Sequence, residues 1–150
     1  MPDQETLERA RRDKAAGKAP STQAGEFIRE EIHHIREGKH GARSAKQAIA
    51  IGLSKARRAG VKLPPPRKGR VSEKTRQSAA SAYRKGQRGQ KISAKRSRAG
   101  VKALRREGRS AASHMALSRQ TRASARRRGA GNRSASARKA GRTRSQERWA

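Results

Sequence analysis

The sequence predicts an all-α protein in which a small N-terminal helical hairpin, with room for a third helix, precedes a largely disordered or conditionally helical basic tail. Two counts and one pattern lead there. Ile, Leu, Val and Phe number 15 of 150 residues, too few to build a large core in so charged a chain. Lys and Arg number 41 against 11 Asp and Glu, a formal charge of +30, and like charge at that density opposes compaction. Upstream of Leu63, however, apolar residues recur at three- and four-residue spacing, the period of a helix that buries one face.

Residues 4–18 (QETLERARRDKAAGK) are good helix formers with Leu7 as their one large apolar anchor. Next, Ser21 is expected to cap a helix running to about Arg36, with Ala24, Phe27, Ile28, Ile32 and Ile35 on one face and Gly38 as its stop. Ser44-Ala45-Lys46-Gln47 reads as a capping box that opens another helix. Small residues at Ala45, Ala48, Gly52 and Ala56 line it beside Ile49 and Leu53, so a neighbouring helix can approach closely. Gly60 stands where a left-handed terminator belongs, with Val61 able to fold back on Ala56. A short loop between two amphipathic helices makes an antiparallel hairpin. Burying its few large side chains does not by itself offset the entropy of ordering it, so a third helix, a homo-oligomer or a bound polyanion is expected to complete it.

Leu63-Pro64-Pro65-Pro66 ends this region, because successive prolines neither continue a helix nor donate to a sheet. The expected division is therefore a helical domain over 1–63, a Pro-rich basic linker over 64–70 and a Ser/Ala/Arg-rich tail over 71–150. In the tail, Ser-Ala pairs at 78, 93, 110, 124 and 134 open basic stretches. Their spacing is too irregular for a solenoid, and they read as Ser-capped turns that form once phosphate neutralises their charge.

Within residues 23–66, the run Ser44-Ala45-Lys46-Gln47-Ala48-Ile49-Ala50-Ile51-Gly52-Leu53-Ser54-Lys55-Ala56-Arg57-Arg58-Ala59-Gly60 is the specific part of a resemblance. It resembles a bacterial family of small basic proteins without assigned activity, often labelled plasmid-stabilisation or DNA-binding proteins. The resemblance implies no known reaction. The tail separately looks like the basic tails of linker histones and bacterial histone-like proteins.

Charge distribution carries the functional expectation. Residues 1–37 hold eight acids and seven bases, whereas residues 38–150 carry +31, interrupted only by Glu73, Glu107 and Glu147. Such a field points to phosphate neutralisation, whose affinity is large, salt-sensitive and indifferent to sequence. The expected contacts are Lys46, Lys55, Arg57 and Arg58 on the hairpin; Arg67, Lys68 and Arg70 in the linker; and Arg84, Lys85, Arg105, Arg106, Arg126, Arg127, Arg128, Arg133, Arg138 and Lys139 in the tail. Phe27, Tyr83 and Trp149 are the only aromatic residues, which disfavours recognition by base stacking and favours duplex DNA over RNA. Tyr83 and Trp149 are expected to be partly exposed rings without a role.

Other chemistries are excluded or weak. With no cysteine there is no thiolate zinc module, and no Gly-x-Ser-x-Gly or phosphate-loop pattern occurs, so the chain is expected not to be an enzyme and to need no cofactor. Glu30, Glu31, His33, His34, Glu37 and His40 contain a Glu-x-x-His spacing, but without a second such pair on another helix they are expected to form a solvated acidic face holding no metal. No leader or membrane-length apolar run is visible, and the expected location is the cytoplasm, on the nucleoid, with no small-molecule substrate. The alternatives are an RNA- or ribosome-associated protein, a plasmid-maintenance regulator reading DNA with its hairpin, and a module whose near-neutral head docks a protein.

Overall fold

The computed structural model describes residues 1–149, with the side chains of Glu147 and Trp149 outside the described set, so the expectation for the Trp149 ring lies beyond it. The described chain is all-helical, with six helices: α1 (Gln4–Ala15), α2 (Pro20–Arg36), α3 (Ala45–Arg58), α4 (Glu73–Gln87), α5 (Ala94–Leu104) and α6 (His114–Trp149), plus a 3-10 turn at Ser110–Ala112. By their contacts these form two units, residues 1–113 and residues 114–150.

The α2–α3 hairpin forms as its periodicity requires. Pro20, not Ser21, sets the start of α2, since its fixed φ suits the first helical position and its missing N–H costs nothing there; Ser21 thus falls inside the first turn. At the other end Gly38 takes φ 79°. Its N–H donates to Ile35 O at 3.1 Å while Lys39 N–H reaches His34 O at 3.0 Å, satisfying two carbonyls that the helix leaves open. Ser44 caps α3 by accepting from the Gln47 amide at 3.2 Å, and Gln47 Oε1 accepts in turn from the Arg43 amide at 2.7 Å. Gly60, at φ 89°, ends α3, and the Val61 amide donates to Ala56 O at 3.1 Å.

Two apolar clusters sit on this hairpin. Phe27 and Ala24 of α2 meet Ala10 of α1, Ala56 of α3 and Val61, with Leu7, Leu53 and Leu63 against them. Ile35, Ala42 and Ala48 meet Ala111 and Ala112 of the 3-10 turn, with Ile32 alongside. The small-residue line of α3 does what its spacing promised. A Cβ on Gly52 would stand 2.7 Å from Ile28 Cα, so the two helices cross at backbone distance.

The expected disordered or conditionally helical tail is overturned, because helices continue through residue 149. A scarcity of large apolar residues does not prevent helices built from Ala, Arg, Lys, Gln and Ser, whose intrinsic preferences suffice once their ends are capped or docked. Ser72 and Ser93 cap α4 and α5 by accepting from the Thr75 and Arg96 amides. Helix α4 docks on α3 through small residues: Ala82 is buried, and a Cβ on Gly86 would lie 1.8 Å from Arg57 O. Beyond α5 the backbone is sewn to the α2–α3 loop, with Gly41 N–H donating to Leu104 O at 2.9 Å and Ala42 N–H to Gly108 O at 3.0 Å. Arg36 Nε completes the seam by donating to Ala112 O at 2.9 Å. Of the expected Ser-Ala starts, the one at Ser93 caps a helix and that at Ser110 opens the 3-10 turn, whereas Ser78, Ser124 and Ser134 lie inside helices.

In the second unit α6 is interrupted at Gly129 (φ 74°, ψ 166°), which separates two helical stretches. Residues 126–140 are exposed on every side.

Candidate nucleic-acid interface

Helical periodicity arranges the bases into stripes. Lys95, Arg98 and Lys102 of α5 recur at three- and four-residue intervals, as do Arg119, Arg122 and Arg126 of α6, so each trio shares a face. At 1.5 Å per residue each trio spans about 10 Å. Lys95, Arg98, Lys102, Arg119, Arg122 and Arg126 are all exposed. Of these six only Arg126 was expected from the sequence, and the same spacing rule applied to bases instead of apolar residues would have found the others. In the second stretch of α6 the exposed Arg133, Arg138, Lys139, Arg142 and Arg144 point to several sides of the helix.

The expected contacts divide by burial. Lys46, Arg67, Lys68, Arg70, Arg84, Arg105, Arg106, Arg126, Arg127, Arg128, Arg133, Arg138 and Lys139 are exposed, and Arg58 and Lys85 are half-buried. Lys55 and Arg57 are turned inward. Arg57, 6% exposed, donates from Nε to Leu63 O at 3.1 Å and from Nη2 to Pro64 O at 3.4 Å, tying the Pro-rich segment to the end of α3. Burial pushes its guanidinium below its usual value without removing its charge. Tyr83 is half-buried in α4.

Lys55 belongs to a buried polar cluster that replaces the expected solvated acidic face. Glu30, Glu31, His34 and His40 are all within the interior, Glu31 completely, whereas His33 and Glu37 stay at the surface and pair with each other at 2.9 Å. Glu30, Glu31 and His34 share the inner side of α2, and the turn at Gly38 brings His40 back over it. From α3, Lys55 Nζ reaches Glu31 Oε2 at 2.7 Å and Glu30 Oε1 at 3.1 Å. Burial alone would lower the Lys55 ammonium, but the Glu31 and Glu30 carboxylates more than offset it and hold it above its usual range. At the edge of the cluster, Asp3 Oδ2 lies 3.0 Å from His34 Nε2. That hydrogen bond keeps the Asp3 carboxyl below its ordinary value despite some desolvation. The sequence could not show this burial, because the groups that make it tolerable come from before α2, from the loop after it and from α3.

Residues 11–68 match the profile of a family described as "Family of unknown function (DUF6496)". The segment whose resemblance was read from sequence, 23–66, lies inside this match, which gives no support to a plasmid-stabilisation or DNA-binding label. No curated protein and no solved structure matches the chain. No described helix is long and apolar enough to cross a membrane.

Proposed function

We propose that the chain binds duplex DNA through its phosphates, without an enzymatic reaction and largely without regard to sequence, as a histone-like protein of the nucleoid. The observation that supports this most is the exposure of Lys and Arg along α5 and α6 on helices that bury almost nothing else. In α5 no residue is buried, and residues 114–150 carry eleven bases against the single acid Glu147. A helix of this composition has little apolar surface with which to engage a protein or a small molecule. It does present cations at intervals of a few ångströms to a duplex that carries about one charge per 1.7 Å.

The hairpin is poorly suited to reading bases. Of the four bases on α3 that a recognition helix would use, Lys55 and Arg57 hold the fold together and only Lys46 is fully exposed. Base-edge readout needs several free side chains on one helix face, so a sequence-specific regulator built on α3 is disfavoured.

Anisotropy titrations of the full chain on a labelled 30-base-pair duplex over a range of salt test this reading. Contact with about ten phosphates gives a slope of log K against log salt near −9. A slope shallower than about −3, a strong preference among unrelated duplexes, or a structured RNA that outcompetes duplex DNA at matched salt would each reject it.

A further inference from the structure

We propose that Glu31, His34 and His40 bind a divalent transition-metal cation, Zn2+ being the best match, which fastens the loop after α2 onto that helix. One ligand atom from each residue lies within 4.8 Å of those of the other two. The His40 ring is oriented as such a site needs. His40 Nδ1 is 3.1 Å from Gly41 O, and because a carbonyl only accepts, that nitrogen carries a proton. Its Nε2 then faces Glu31 Oε1 at 3.2 Å. In a neutral ring this sets one lone pair against another, and only a cation or an extra proton reconciles them. Two ligands on one tetrahedral Zn2+, each about 2.05 Å from it, stand about 3.3 Å apart.

In His34 the two nitrogens exchange roles, and the free one faces Glu30. Its Nε2 donates to the Asp3 carboxylate at 3.0 Å, leaving Nδ1 turned toward Glu30, 4.0 Å from Oε1. Metal-binding histidines characteristically donate their outer N–H to a carboxylate or a backbone carbonyl, and here one does each. The Glu31 side chain is fully buried: its Oε2 is taken by Lys55 Nζ at 2.7 Å, and its Oε1 faces the His40 ring. Lys55 stays on Oε2 and Glu30, and the metal takes Oε1. Two imidazoles and one carboxylate, with water as a fourth ligand, suit Zn2+ or Co2+ better than Mg2+ or Ca2+, which prefer all-oxygen shells.

Chelator-stripped full-length protein, free of nucleic acid, is titrated with Zn2+ by calorimetry and with Co2+ by visible absorption. The expected result is one ion per chain, a Co2+ band typical of four or five N/O ligands, and a rise in Tm on metal addition. Asp3→Asn changes only the outer partner of His34 and weakens binding by about 10–100-fold with the helical circular dichroism intact. His33→Ala, on the surface, leaves binding unchanged. Failure to saturate at one ion per chain overturns the proposal, as does binding that is undiminished in folded His40→Ala. Should His40→Ala not fold, Asp3→Asn decides: unaltered affinity there overturns the site, and the stated loss upholds it.

Discussion

Replacing Lys55 by Met removes the one ammonium that faces both buried carboxylates while keeping the length and apolar stem of the side chain. Glu31 is fully buried and the Glu30 side chain is 2% exposed, so neither can recover its hydration without opening the α2–α3 contact. Removing one partner of a buried ion pair costs about 3–5 kcal/mol. Lys55 itself keeps 23% of its side-chain surface, which admits some water and places the expected loss near about 3 kcal/mol. With an m-value of about 2 kcal/mol/M, the urea midpoint followed by circular dichroism falls by about 1.5 M. Adding Glu31→Gln restores part of the loss, because the double variant leaves one buried carboxylate, Glu30, without its ammonium instead of two. At low denaturant, where the variant is still folded, its DNA affinity falls by less than about twofold, since one inward charge among many contributes little to phosphate neutralisation. The reasoning is refuted if the urea midpoint is unchanged while DNA affinity drops, for then Lys55 works at the surface and the buried cluster does not depend on it.

Wild type and Lys55→Met should also converge in stability above pH 10.5. The Lys55 ammonium is held above its ordinary value of 10.5 in the fold, so its contribution is complete below that pH and is lost as pH rises through the higher folded value. The difference between the two urea midpoints therefore narrows at strongly alkaline pH, and a constant difference would count against the pairing. Gly86→Ala sets a methyl 1.8 Å from Arg57 O and should destabilise the first unit by about 2 kcal/mol or more, whereas Gly100→Ala, with open space around it in α5, should stabilise by about 0.5–1 kcal/mol. Thermal melts of both check the pair, and equal shifts would contradict the docking of α4. Changing Arg126, Arg127, Arg128, Arg133 and Arg138 to Gln should preserve helix content and flatten the salt slope by up to about 4.5; an unaltered slope would assign phosphate binding elsewhere.

What the sequence made legible were features whose cause lies within a few residues. The inner line of α2, the Ser44 cap and the glycine stops at 38 and 60 depend on local spacing and on backbone conformations that glycine adopts without strain. Misread features depended on distant partners or on packing without large side chains. The docking of α4 rests on Ala82 and Gly86, neither of which registers as an apolar anchor. Glu30 and Glu31 look solvated until Lys55, on the next helix, is brought against them. Composition argued for a disordered tail because it weighs the absence of a core, yet Ala- and Arg-rich segments need only capped ends and short docking contacts to be helical. The resemblance over residues 23–66 located a family match without a function, and so placed the hairpin but said nothing of its use.

The seam between the α2–α3 loop and the segment after α5 bears on how the protein is made. Arg36 and Ala112, which it joins, are 76 residues apart in the chain. At a synthesis rate of about 5–20 residues per second, about 4–15 s pass between the appearance of one and the other. Throughout that interval Ile35, Ala42 and Ala48 lack the Ala111–Ala112 cover that completes their cluster. The hairpin therefore waits, half finished, while the ribosome adds the basic helices between, and a nascent chain released before residue 111 carries that apolar face uncovered into a cell full of other surfaces.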